Sequence, residues 1–79
     1  MSLLLKKLLG MLNNIGAVNP SNALTLEEIS NRIKMDMREL GQKLEELVKA
    51  GYVGKVRDLE EDKYYLTPTG ILVALSAYS

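Results

Sequence analysis

Cysteine and histidine are both missing from this 79-residue chain. Without cysteine there is no disulfide framework and no thiolate metal site, and an intracellular protein is the default expectation. Without either residue, the usual nucleophile and base pairs and the usual zinc, iron or copper sites have nothing to assemble from. Only carboxylate, lysine, tyrosine or hydroxyl chemistry is left. No such site is identifiable, and no phosphate, dinucleotide or calcium loop is present. The expectation is a protein that is not an enzyme and uses no metal and no cofactor. Net charge is missing too: ten Lys plus Arg balance ten Asp plus Glu, so the overall basic bias of a non-specific nucleic-acid binder is absent. Long apolar runs are also absent, since nothing approaches the roughly 20 residues of a membrane span. At the start, Lys6 and Lys7 follow the first leucines and no small-residue cleavage site comes after them, which argues against a signal peptide. A cytoplasmic protein without a membrane partner is expected.

What the chain does contain is 47% apolar and 25% charged residues, the balance of an ordinary globular protein. At this length one domain, 1–79, is expected, because two smaller cores would bury too little to offset chain entropy. Leu4, Leu5, Leu8, Met11, Leu12 and Ile15 recur at helical spacing and predict helix 1 over about 2–15. Leu3 and Leu9 fall outside that face, so either a partner chain covers the excess or Leu3 frays at the terminus. Gly16 and Asn19-Pro20-Ser21-Asn22 make a turn. Thr25 with Glu28 forms a capping box ahead of Ile29 and Ile33, and Asp36 with Glu39 repeats the signal ahead of Leu40, Leu44, Leu47 and Val48, until Gly51 stops the helix. Two helices separated by little more than Lys34 and Met35 must turn sharply, which predicts a helix-turn-helix over about 25–50. Tyr52 to Thr67 reads as a β-hairpin around Asp58-Leu59-Glu60-Glu61-Asp62. Thr67-Pro68 starts helix 4, about 68–78, with Ile71, Leu72, Val73, Ala74, Leu75 and Tyr78 as its apolar positions.

That order, with two phrases, resembles the winged helix-turn-helix domains of small bacterial and archaeal regulators of the MarR, ArsR and PadR types. The first phrase runs from Leu26-Glu27-Glu28-Ile29-Ser30 through Leu40, Leu44, Leu47 and Gly51-Tyr52-Val53; the small Ser30 is expected to let the second helix approach the third. The second is Tyr64-Tyr65-Leu66-Thr67-Pro68-Thr69-Gly70, similar to the Tyr-x-Leu-Thr-x-x-Gly that closes the wing in many of these proteins. The resemblance covers Thr25 to Gly70. It implies an α+β, mostly α fold with a three-helix core, a hairpin wing over about 52–67 and a C-terminal helix. It further implies sequence-specific binding of double-stranded DNA by a dimeric transcriptional regulator, with the third helix in the major groove. The same fold also serves as a protein-interaction module, so a protein partner without DNA is the alternative. Two departures stand out: Lys34 occupies a turn position where glycine is common, and Glu60, Glu61 and Asp62 place three carboxylates at the wing, where phosphate would be repelled.

On the third helix Arg38, Gln42, Glu45 and Lys49 lie opposite the leucine stripe. Arg pairs two-fold with guanine, Gln two-fold with adenine, and Glu accepts from cytosine, which makes Arg38, Gln42 and Glu45 the candidate base contacts. The plainer alternative is a solvated face with Glu45 and Lys49 as an i,i+4 pair. Arg32, Lys34, Lys49, Lys55 and Arg57 are the candidate phosphate contacts; Lys55 and Arg57 alternate on one strand and so share a side, or simply keep an edge strand from pairing. Segment 31–57 holds seven cations against four carboxylates, a local +3 within a neutral chain. Gly41, inside the third helix, costs about 1 kcal/mol relative to alanine; close packing on the second helix or approach to a nucleic-acid backbone would explain it. Leu3, Leu5, Leu9, Leu72 and Leu75 are the candidate homodimer interface. Tyr64 and Tyr52 are expected in the core, with Tyr65 on the opposite face.

Overall fold

The computed structural model describes residues 2–76. It has α1 (Leu3–Asn14), a 3-10 turn (Pro20–Asn22), β1 (Leu24–Thr25), α2 (Leu26–Ile33), α3 (Met37–Lys49), β2 (Val53–Asp58), β3 (Glu61–Leu66) and α4 (Pro68–Ser76). Four helices and a three-stranded antiparallel sheet of order β1-β3-β2 make an α+β fold. Tyr78, expected in the last helix, lies outside the described residues.

Local chemistry sets most boundaries. The Ser2 hydroxyl accepts from Leu5 N–H at 3.2 Å and starts α1. The capping box is complete: Glu28 N–H donates to Thr25 Oγ1 at 3.1 Å, and Thr25 N–H donates to Glu28 Oε1 at 3.0 Å. Those contacts hold the Glu28 carboxyl below the ordinary glutamate value, the Thr25 backbone N–H contributing most. Asp36 Oδ2 accepts from Glu39 N–H at 3.1 Å and starts α3. Gly51, at φ 84, ends it with paired bonds, Gly51 N–H to Val48 O and Tyr52 N–H to Leu47 O, both 3.0 Å; a left-handed residue is what this motif requires.

The turn between α2 and α3 explains Lys34. It sits at φ 59, ψ 46, the left-handed conformation that a glycine would take without cost. Ser30 ties the turn down: its carbonyl accepts from Lys34 N–H and Met35 N–H, and its hydroxyl donates to the Met35 carbonyl. Ser30 thus acts as a hydrogen-bonding group as well as a small one.

The end of the hairpin is similarly explicit. Thr67 N–H donates to Tyr52 O at 3.1 Å, Thr67 Oγ1 donates to Gly51 O at 2.7 Å, and the same hydroxyl accepts from Gly70 N–H at 3.0 Å. One threonine therefore joins the end of α3, the root of β2 and the first turn of α4. Gly70 lies directly against the Tyr52 carbonyl, where a side chain has no room.

The core comprises Leu8, Leu9 and Leu12 of α1, Ile29 of α2, Leu40, Leu44 and Leu47 of α3, Val53, Tyr64 and Leu66 of the sheet and Ala74 of α4. Tyr52 packs partly buried against it. Three expectations are corrected. Leu9 is 0% exposed and belongs to this chain's own core, so it is not available to a dimer interface. The buried side of α1 is rotated from the expected one and passes through Leu8, Leu9 and Leu12, while Leu4 is exposed; α4 packs along α1 and covers a sector that α1 by itself leaves bare. The turn between β2 and β3 is only Leu59-Glu60, because Glu61 pairs with Asp58 and Asp62 with Arg57 inside the strands. Strand β1 was not anticipated: two residues with no alternation of their own become a strand because β3 offers them a free edge, Leu24 opposite Tyr64.

Candidate nucleic-acid interface

Helix α3 turns its leucines inward, so the residues halfway round it must face out. Arg38, Gln42 and Lys49 are exposed and Glu45 is half-buried. Beside them runs an open groove of about 580 Å³ lined by Met37, Arg38, Gly41, Gln42, Glu45, Glu46 and Lys49 of α3, by Leu26 at the start of α2 and by Tyr64 of β3. Its lining sets Leu26, Met37 and the Tyr64 ring beside charged and amide side chains. All three candidate base contacts and one candidate phosphate contact, Lys49, therefore meet in one groove. Arg32 and Lys34, exposed on the last turn of α2 and the turn after it, lie outside its lining.

The hairpin leans over this side. Lys55 stands opposite Tyr64 and Arg57 opposite Asp62, and side chains directly opposite each other share a face. Both cations thus project from the side that carries buried Val53, Tyr64 and Leu66. Neither is a free charge. Lys55 Nζ donates to Glu45 Oε1 at 3.1 Å and Arg57 Nη1 to Asp62 Oδ1 at 3.2 Å, while on the other face Lys63 Nζ donates to Asp58 Oδ2 at 3.1 Å. Glu45 is engaged with Lys55 across 10 residues and not with Lys49 one turn away. The Glu45 contact raises the Lys55 ammonium above the ordinary lysine value. Tyr64 O–H donates to the same Glu45 oxygen at 3.5 Å, and burial followed by the Glu45 charge pushes that phenol upward. Among the described residues, Arg32, Lys34, Arg38, Lys43 and Lys49 form no ion pair.

Gly41 is not forced by packing. A methyl group there would meet Leu26 Cδ2 at 3.6 Å, an ordinary contact, so the close approach expected between the helices does not explain it. It leaves bare backbone in the groove wall. Met37, Leu26 and Tyr64 were not anticipated as groove residues; all three are apolar, and periodicity assigns apolar side chains to a core without telling which stop short of it. The dimer candidates divide: Leu3, Leu72 and Leu75 are exposed at 67%, 69% and 53%, Leu5 is half-buried against the core, and Leu9 is inside it. No group of His, Cys, Asp or Glu among the described residues could hold a metal ion, and no helix among them is long and apolar enough to cross a membrane. Neither a family model, nor a curated protein, nor a solved structure matches the chain, so its function has to be argued from the groove itself.

Proposed function

We propose that the chain is a winged helix-turn-helix domain that binds double-stranded DNA as a small dimeric transcriptional regulator, α3 entering the major groove and β2-β3 forming the wing. The observation that carries this reading is the outward row of Arg38, Gln42 and Lys49 on α3, two cations without an ion pair around an amide. A major groove about 12 Å wide admits one helix, and this trio offers it guanine, adenine and phosphate partners. Arg32 and Lys34, exposed next to α3, supply further phosphate contacts. Exposed leucines on α1 and α4, namely Leu3, Leu4, Leu72 and Leu75, supply the dimer contact, and a two-fold pair of α3 helices matches half-sites one helical turn apart.

Titration of random and selected duplexes over a range of salt tests the reading. Arg38→Ala and Gln42→Ala should each cost about 1–3 kcal/mol on a selected site and relax preference at particular base pairs. Lys49→Ala should weaken all duplexes alike and reduce the salt slope by about one unit. Parent-like binding by all three variants removes the DNA reading. A protein-interaction module is the second reading. It is favoured by the balance of the groove, where Glu45 and Glu46 offset Arg38 and Lys49 beside the apolar Leu26 and Met37.

A further inference from the structure

The Glu45 carboxylate is the one acidic side chain on α3 that reaches across to the hairpin. Its Oε1 accepts from Lys55 Nζ at 3.1 Å and from Tyr64 O–H at 3.5 Å, so two elements of the sheet converge on a single oxygen of the helix. Both members of the ion pair remain accessible, Lys55 at 35% and Glu45 at 46% of their side-chain surface. The carboxylate lines the groove together with Arg38 and Lys49, and its ion pair with Lys55 ties that groove to the hairpin.

A phosphate approaching Lys55 must displace a carboxylate already in place, and that carboxylate repels it as well. An exposed ion pair is worth only about 0–1 kcal/mol, so it does not lock Lys55. It does remove Lys55 from the set of cations that neutralise phosphates, and the release of the DNA's condensed counterions on such neutralisation supplies most sequence-independent affinity. We propose that Glu45 is a positioning residue that restrains sequence-independent DNA binding by holding Lys55 against α3. This inference rests on the DNA reading above and adds to it a brake built into the interface. Glu45 itself contacts no base; the neutral total charge of the chain is then matched by a local arrangement that keeps general duplex attraction low, leaving Arg38 and Gln42 to decide which duplex is bound.

The test is a double-mutant cycle on the full chain with random-sequence duplex as the probe. Glu45→Gln keeps the length of the side chain and an acceptor for Tyr64 while removing the charge. It should bind the random duplex about fivefold more tightly at roughly 0.15 M salt and steepen the salt slope by about one unit, the effect of one added phosphate contact. Lys55→Ala alone should weaken binding by clearly less than the Glu45→Gln gain, since its ammonium is already engaged with Glu45 and its loss only uncovers that carboxylate. In the Glu45→Gln background the same Lys55→Ala change should remove the gain, and that non-additivity is the coupling being claimed. Equal melting temperatures for the four proteins separate the effect from altered stability. Two outcomes overturn the inference alone, with the parent still binding duplex: a Glu45→Gln variant indistinguishable from it, or a gain that survives in the double variant. Absence of duplex binding by parent and variants alike overturns the DNA reading and the inference with it.

Discussion

A methyl group added at Gly70 would fall far inside van der Waals contact with the Tyr52 carbonyl oxygen, whereas one added at Gly41 would find Leu26 Cδ2 at 3.6 Å. The same substitution should therefore have opposite signs at these two helix glycines. Gly70→Ala must push α4 away from the root of β2 and should cost more than about 2 kcal/mol, as overpacking against unyielding backbone does. Gly41→Ala relieves the entropic penalty of a mid-helix glycine and should stabilise by about 0.5–1 kcal/mol. Urea denaturation of both variants, read as midpoints at constant slope, checks the pair. Glu28 makes a second prediction at this scale. Its carboxyl is held below the ordinary glutamate value by the Thr25 backbone and hydroxyl, so its folded pKa is depressed relative to the unfolded chain. The stabilisation is then fully present above the ordinary glutamate range and is lost as pH falls through that range to the lowered folded value. The melting-temperature difference between parent and Glu28→Gln should be largest near neutral pH and shrink on acidification; a difference independent of pH would remove the assigned role.

Side-chain caps and left-handed residues set most element boundaries of this fold. The hairpin turn is a boundary that invites change: Leu59 and Glu60 sit at φ 49 and 67, both left-handed, and Leu59 is 91% exposed. A two-residue turn with positive φ at both positions is the preferred geometry of Asn-Gly, and neither leucine nor glutamate adopts it without strain. Replacing Leu59-Glu60 with Asn-Gly should raise stability by about 1 kcal/mol, since no buried contact is lost and the register Asp58 to Glu61 already suits a turn of that length. A fall in the unfolding midpoint would mean that Leu59 makes a contact in solution, as it would between copies. The boundaries of α2 and α3 were legible from sequence because Thr25, Glu28, Asp36, Glu39 and Gly51 act within one turn of their own positions. The two-residue turn was less legible, because Glu61 and Asp62 look like loop residues until β2 pairs them with Asp58 and Arg57.

At the scale of the molecule, the division between inward and outward leucines separates folding from the proposed dimer contact. Leu9→Lys should unfold the protein, because the charge would enter a fully buried site without a partner. Leu72→Lys should leave the melting of the single chain intact and shift the solution mass towards one chain, since that side chain is 69% exposed on α4. Sedimentation at tens-of-micromolar concentration reads both outcomes. A parent that already sediments as one chain removes the dimer proposal, and a Leu72→Lys dimer moves its interface off α4.

Local sequence was enough for the bounds of α1, α2 and α3, the sharp turn at Lys34, the order of the four helices and the hairpin, and which side of α3 faces out. Each depends on hydrogen bonds or apolar spacing within a few residues, so local chemistry suffices. Tertiary structure alone decided that Leu9 is core and Leu4 is not, since an apolar stripe on α1 wider than one contact acquires its buried sector only when α4 packs along it. It decided that Leu24 and Thr25 form a strand, because an edge becomes available only once β2 and β3 have paired. It also decided which charges pair across α3 and the hairpin. Lys55 and Glu45 are 10 positions apart and belong to different elements, and an ion pair between them exists only where helix and hairpin are brought within about 4 Å, a distance that no periodicity in the sequence encodes.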